Sequence, residues 1–430
     1  MAKEIQILDV EDNKKPVLEL KEFEEIHFIS KQLEVTEEDN ELKKFLQNKK
    51  INLIETKKGI QVSAGPYIGS AEFSNFILTI NPKFSSIQNI GKLIDYAYDL
   101  RDEDILDYEI KFNEHENNPM ELIIQLFVNQ CRKLVEKGLA KSYKIYSDTI
   151  PFMKGKLILQ QQIKNQSKFN LNFSCEFDEY TENILENQIL LYTLNRCYYM
   201  TENQNRKSSI KKIIHQMDEE IELKNISQID FNKIYYTRLN SQYKKPHDLA
   251  KLILRELGLF DFKKQSASFV VPYFIPMYQV FEDFLTKIFQ EYYPLRSQAQ
   301  FPRAAWKVNG ISKDIIPDII TYNTKSCSAG TEVSIIDAKY MLGNKFGKEK
   351  EDYQIAFYLN EYKKNVGYAV LPMSNDNSED MVREWFAPNQ NLRIYVKFVN
   401  IDDILELIYS QKDNSDKISQ KIQEIIPITN

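Results

Sequence analysis

Ile316-Pro317-Asp318-Ile319-Ile320 and Ile335-Ile336-Asp337-Ala338-Lys339-Tyr340, whose Asp337 lies nineteen residues after Asp318, decide the fold of this chain. Each reads as a short apolar β-strand that carries an acid where hydrocarbon should be buried. Side chains alternate along a strand, so Asp337 and Lys339 share one face and Ala338 takes the other. An unpaired carboxylate or ammonium is too costly to desolvate, so such strands place these groups beside a metal, a partner charge or water. Two acids and a lysine converging on one edge of a sheet suit a metal-dependent phosphodiesterase. The acid-x-Lys spacing alone is weak, because Glu55/Lys57 and Glu361/Lys363 repeat it and read as solvated pairs of little energetic weight. The β-forming runs and flanking helices single out Asp337/Lys339.

Outward from these strands, the pattern from about Val270 gives a helix over 276–293 and strands over 305–308, 315–322 and 332–340. A helix over 350–364, strands over 367–372 and 392–399 and a helix over 401–409 follow. This αβββαβ order matches the core of a restriction-endonuclease-like fold, whose site is built on the second and third strands of the meander. In the first helix Met277, Phe281, Phe284 and Ile288 form the apolar stripe. Glu282 lies at its edge, either as a satisfied structural acid or as a site residue.

The N-terminal part alternates with period two, with strands around Ile5–Leu8, Glu25–Ser30, Gly59–Ala64 and Phe76–Ile80 and turns at Gly65-Pro66 and Gly69. A small β-rich unit, barrel-like, fits this pattern. Helices are expected over 91–100 and 119–137, extended strands over 146–177 around Gly155, then helices over 183–199, 207–223 and 247–259. The expected organisation is a multidomain α+β and α/β chain. It comprises a β-rich domain with helices (1–160), to which the resemblance given below assigns partner docking, a helical connecting region (161–265), a nuclease domain (266–412) and a polar tail (413–430).

The 430 residues hold two or three domains, and 43% hydrophobic with 12% aromatic content makes the chain globular rather than disordered. No apolar stretch approaches the roughly 18 residues that a spanning helix needs. The first residues lack the apolar core of a secretory signal, which points to the cytoplasm. Cys131, Cys175, Cys197 and Cys327, and likewise the four histidines, are scattered, which argues against a zinc site or a His-based nucleophile. Gly343-Asn-Lys-Phe-Gly347-Lys348 has the wrong spacing for a phosphate-cradling loop and no following Ser or Thr. A net charge of −6 is unusual for a protein that grips DNA unaided, since phosphate neutralisation dominates such affinity. Lys339, Lys345, Lys348 and Lys350 form either a local basic patch or a solvated loop.

A series of segments carries a resemblance over about residues 50 to 410. The early ones are Ser63-Ala64-Gly65-Pro66-Tyr67-Ile68-Gly69, Leu78-Thr79-Ile80-Asn81-Pro82-Lys83-Phe84, Lys154-Gly155-Lys156-Leu157 and Cys175-Glu176-Phe177-Asp178-Glu179-Tyr180. The later ones are Val280-Phe281-Glu282-Asp283-Phe284, Pro317-Asp318, Asp337-Ala338-Lys339-Tyr340 and Asp352-Tyr353-Gln354-Ile355-Ala356-Phe357-Tyr358. Weak singly, in this order they resemble the McrC-type nuclease subunits of McrBC-like, including LlaJI-related, modification-dependent restriction systems of phage defence. The first ~50 residues match poorly, and the connector Asn323 to Gly330 is short.

That resemblance implies a PD-(D/E)xK endonuclease acting with a separate ring-forming AAA+ GTPase (McrB-like). The N-terminal region docks on the partner and stimulates its hydrolysis, while the C-terminal domain cuts modified double-stranded DNA after translocation. A homodimer within the complex is compatible with double-strand cleavage. Asp318, Asp337 and the Ala338 backbone carbonyl would hold Mg²⁺, a hard ion that prefers oxygen, with Glu282 contacting it through water. Lys339 would orient the nucleophile, and Gln354 would support Lys339 or the phosphate. The alternative is a non-catalytic activator of the AAA+ partner with a degenerate nuclease fold, against which the intact Asp318, Asp337 and Lys339 argue.

Overall fold

The computed structural model describes residues 3–6, 15–30, 33–98, 119–201, 203–257, 272–293, 296–299, 303–308, 311–322, 332–347, 350–374, 381–387, 390–410 and 413–427. Cys327, Lys348 and the connector 323–330 lie outside them. The chain divides into two compact units, Met1–Met120 with Glu256–Asn430, and Glu121–Arg255.

The first unit opens with β1 (Lys3–Gln6), β2 (Val17–Lys21), β3 (Glu25–Ile29), α1 (Asn40–Asn48), β4 (Asn52–Thr56), β5 (Gly59–Ser63), β6 (Tyr67–Glu72), β7 (Ile77–Asn81) and α2 (Ile87–Ala97). The period-two residues turn inward as alternation requires: Leu18 and Leu20 from β2, Ile26 and Phe28 from β3, Ile60 and Val62 from β5. The strands form two four-stranded sheets instead of one barrel, ordered β1-β3-β5-β4 in the first and β6-β7-β2 plus a later strand in the second. One shared core joins them, including Leu18, Phe28, Val62 and Leu78, each buried side chain contributing about 1.5–3 kcal/mol. Ser86 caps α2, its hydroxyl accepting from the Asn89 N–H at 3.2 Å.

The second unit contains α3 (Pro119–Lys137), β8 (Ser142–Ile150), β9 (Lys156–Leu157), α4 (Leu159–Gln166), β10 (Phe173–Thr181), α5 (Leu185–Met200), α6 (Gln204–Met217), α7 (Gln228–Phe231) and α8 (Lys244–Leu257). β8 and β10 run antiparallel over nine residues, from Ser142 opposite Thr181 to Ile150 opposite Phe173, with β9 on the other edge of β10. Gly155 makes the turn into β9 at φ 68, where an added Cβ would run into the Glu176 carbonyl. The expected extended run over 146–177 is therefore interrupted by α4. Glu121 of α3 pairs with Arg206 of α6 and accepts from the Thr201 hydroxyl at 2.7 Å. Cys131, Cys175 and Cys197 are buried free thiols.

Returning to the first unit, β11 (Tyr273–Pro276) pairs antiparallel with β6 and completes the sheet β11-β6-β7-β2. Gly69 permits this approach, because a Cβ there would strike the Tyr273 carbonyl. α9 (Met277–Tyr292), β12 (Arg296–Ala299), β13 (Arg303–Val308), β14 (Ile311–Ile315), β15 (Ile319–Tyr322), β16 (Glu332–Ala338), α10 (Glu351–Tyr362), β17 (Val366–Pro372), β18 (Met381–Ala387), β19 (Gln390–Val399), α11 (Ile401–Tyr409) and α12 (Ser415–Ile425) follow. A six-stranded sheet, β12-β15-β16-β17-β19-β18, forms the second core of this unit.

The structure corrects three sequence expectations here. The strand at 305–308 pairs with β14 in a separate two-stranded sheet, and β12 takes its place beside β15. The strand expected over 315–322 is two strands, split at Pro317, which has no N–H to donate to a ladder. The segment expected as a polar tail holds α12, whose Ile418 and Ile422 are buried.

Candidate active site

β16 lies inside the six-stranded sheet, antiparallel to β15 on one side and parallel to β17 on the other. Ile335 and Ile336 are buried, and the position that would extend that apolar run is Asp337, 0% exposed. Asp318 sits just before β15, after Pro317 has ended the preceding ladder. The antiparallel register of Ile319 with Ile336 brings it beside the end of β16. There the Ala338 N–H donates to Asp318 Oδ2 at 2.7 Å.

Lys339 Nζ stands 2.5 Å from Asp337 Oδ2 and forms an ion pair with it. Among the described residues, only Lys339 and Asp318 engage the Asp337 carboxylate. On its far side Lys339 Nζ donates to Gln354 Oε1 at 2.9 Å, and Gln354 Nε2 donates to the Tyr358 hydroxyl at 2.6 Å. Gln354 and Tyr358 lie one turn apart on α10, so a single helix face fixes the lysine from outside the sheet. Asp318, Asp337, Lys339 and Gln354 thus meet at one place, and Glu282 of α9 adds its negative charge to the field at Asp318.

The charges explain one another. Burial, then Asp337 and Glu282, push the Asp318 carboxyl up to about 8 against a weaker pull from the Ala338 N–H and Lys339. Burial also raises Asp337, partly offset by Lys339. Burial pulls the Lys339 amine down, but Asp337 and Asp318 outweigh it and the net shift is upward, so the amine stays an ammonium at neutral pH. Two crowded, buried acids with elevated proton affinity are what a divalent cation relieves.

Among the described residues, no three His, Cys, Asp or Glu side chains form a ready metal cluster. The donors are two carboxylates and the Ala338 carbonyl. That set fits Mg²⁺, which keeps several waters and takes one or two protein carboxylates. Tyr358, a buried second support for Lys339 through Gln354, carried no signal of its own beyond its place in the Gln354 helix.

A family model described as "McrBC 5-methylcytosine restriction system component" matches residues 62–372. The chain belongs to this family. A comparison with curated proteins finds no match. Among solved structures, a refined half-complex from a tetradecameric assembly of Thermococcus gammatolerans McrB AAA+ hexamers with bound McrC is similar. It is 18% identical with a TM-score of 0.53, and the match covers 95% of this chain and 100% of that one. The cryo-EM structure of the Thermococcus gammatolerans McrBC complex matches 63% of this chain and 86% of that one, at 22% identity and a TM-score of 0.43. Membership of the McrBC family agrees with the resemblance drawn from the ordered motifs. At 18% identity the half-complex adds a shared fold. No described helix is long and apolar enough to cross a membrane.

Proposed function

We propose that this chain is the McrC-type nuclease subunit of an McrBC-like restriction system. In this reading it is a Mg²⁺-dependent endodeoxyribonuclease whose core, α9, β12, β15, β16, α10 and β17, is of the PD-(D/E)xK type. The observation that carries the reading is Asp337, fully buried on an apolar strand, 2.5 Å from Lys339 and against Asp318. Asp318, Asp337 and the Ala338 carbonyl would hold the ion, and Glu282 would reach it through water. The ion supplies a more acidic bound water and neutralises charge that develops on the phosphate.

The chain's own residues do the rest. Lys339 is kept as an ammonium, so it serves as a fixed cation for the attacking water and the scissile phosphate rather than as a base. Gln354 and Tyr358 lock its direction, so the charge needs no reorganisation as the reaction proceeds. Water forms one P–O bond and gives up a proton to solvent, the opposite P–O bond breaks, and the departing alkoxide takes up a proton from solvent.

The reading includes a ring partner, an AAA+ GTPase such as the McrB with which the structural relative is assembled. The β8–β10 hairpin supports a protein-binding role. Tyr143 and Tyr180 stand opposite one another with ring centroids 5.0 Å apart, and they are 74% and 59% exposed. Ile145 is exposed two residues further along β8, and Phe152 and Met153 are exposed past the opposite end of that strand, apolar surface that free solvent does not favour. Lys154 lies over the Phe177 ring at 4.2 Å. A partner at this hairpin would bring the DNA that an acidic chain grips poorly and would have its hydrolysis stimulated in return. Modified double-stranded DNA is the substrate in this reading, and two copies of the chain would serve the two strands. The test is cleavage of a modified duplex with Mg²⁺, partner and nucleoside triphosphate, lost on Asp337→Ala. Undiminished cutting by that variant would show that the assignment of Asp337 to the site is wrong.

A further inference from the structure

Glu22 is an acid at the turn between β2 and β3, yet it is 0% exposed. Its N–H donates to the Asn81 carbonyl at 3.0 Å, and its Oε2 accepts from the Lys83 N–H at 3.2 Å. The same oxygen accepts from the Tyr340 hydroxyl at 2.7 Å, across 318 positions of sequence. Oε1 has no hydrogen-bond partner among the described residues, so the chain bears the cost of a buried, half-satisfied carboxyl. The next residue, Phe23, holds φ 61, a left-handed backbone that a bulky side chain rarely adopts. Both costs fall on one turn, and that turn meets the end of the acid-bearing strand through Tyr340.

Tyr340 directly follows Lys339 and stands two residues after the Ala338 carbonyl. Its ring lies edge-on to Phe84 at 5.0 Å and is tilted against Phe281 at 5.6 Å and Phe23 at 6.0 Å. Phe281 is the residue before Glu282. The end of the acid-bearing strand and the helix that presents Glu282 are therefore tied to the same cluster, whose polar anchor is Glu22. A leucine at position 22 would fill such a space at lower cost. An acceptor is what the site needs to hold the Tyr340 hydroxyl.

We propose that Glu22 is a positioning residue for the metal centre: through Tyr340 it fixes where the end of β16 places the Ala338 carbonyl and Lys339, so that the N-terminal sheets set the geometry of the cleavage site. This rests on the nuclease reading above. Glu22 touches no substrate and acts through Tyr340. Supports of this kind outside a metal's own ligands change its affinity by roughly ten- to a hundredfold.

The experiment uses the full chain without DNA or partner. It measures Mn²⁺ affinity by calorimetry, and amide hydrogen exchange over residues 332–340 in the metal-free protein. Tyr340→Phe, which keeps the ring packing and removes only the hydroxyl, should weaken Mn²⁺ binding roughly tenfold and speed exchange at 338–340. Glu22→Leu should match it, and the double variant should be no worse than either single. Glu22→Gln keeps the acceptor oxygen and should stay within about threefold of wild type, a rescue that a merely space-filling role would not produce. Asp337→Ala is the control for the reading itself. If it abolishes Mn²⁺ binding while Tyr340→Phe binds and exchanges like wild type, the positioning role is wrong and the nuclease reading stands. If Asp337→Ala still binds Mn²⁺ normally, the metal site and this inference fall together. Should either position-22 or position-340 variant fail to fold, the remaining one, read against Glu22→Gln, decides in the same way.

Discussion

Replacing Glu22 by Gln should stabilise the metal-free protein, increasingly so as pH rises. Burial pushes the Glu22 carboxyl from 4.5 up to about 8 against the hydrogen bonds from Tyr340 and Lys83. A group whose folded pKa is raised is protonated in the folded chain while already ionised in the unfolded one. Between about 4.5 and 8 the folded state thus holds the extra proton, and stability falls as pH climbs through that window. Each pH unit costs about 1.4 kcal/mol, so the penalty grows from near zero at pH 4.5 to roughly 5 kcal/mol at pH 8 and then levels off. Gln keeps the acceptor for Tyr340 and cannot ionise, so the gap between variant and wild type traces this penalty. Both tryptophans of the chain, Trp306 and Trp385, belong to the unit that contains Glu22. Intrinsic fluorescence during urea unfolding at pH 5, 6, 7 and 8 therefore reads the right transition. A gap that stays flat across that range would refute the reasoning, because it would mean that Glu22 is ionised in the fold or already neutral in the unfolded chain.

Lys339→Met should leave folding intact and lower the cleavage rate on the order of a hundred- to a thousandfold, the usual loss when one preorganised charge stabiliser is removed; single-turnover cleavage measures it. Divalent-ion binding should tighten as pH rises towards 8 and release protons, because Asp318, held at about 8 without metal, must ionise to become a ligand. Calorimetry in buffers of different ionisation heat reads the proton count, and pH-independent binding without proton release would count against Asp318 as a ligand. The pair Tyr143→Ser and Tyr180→Ser should reduce stimulation of the partner's nucleotide hydrolysis at least about tenfold while Mn²⁺ affinity stays unchanged, since an exposed aromatic pair is a common anchor of an interface.

Much of the site was legible because its signal is local. Asp337 and Lys339 interrupt an apolar strand at period two, and the 316–320 stretch repeats the anomaly, so the pattern alone joined them. Gln354 was legible only through the resemblance, as it is an exposed helix amide until the Lys339 contact is known. What escaped depends on distant partners. Nothing local in Lys21-Glu22-Phe23-Glu24-Glu25 signals burial, and the Tyr340 hydroxyl that meets Glu22 comes from the other end of the chain. β12, Arg296–Ala299, has too few apolar residues for a strand period, whereas 305–308 looked like the better strand and went to a local hairpin instead. α12 is polar on average, and its Ile418 and Ile422 pattern sits within a run otherwise indistinguishable from a solvated tail. The link between the N-terminal and C-terminal segments of the first unit, through β11 on β6, is a pairing that no local pattern encodes.

The central claim is that Asp337 holds the ion that cuts DNA. The most direct measurement is cleavage of a modified DNA duplex by the Asp337→Ala chain with Mg²⁺, the ring partner and nucleoside triphosphate, run beside partner hydrolysis in the same tubes. The account predicts that cleavage falls to background while stimulated nucleotide hydrolysis remains at the wild-type level. Cleavage at a near wild-type rate would contradict it.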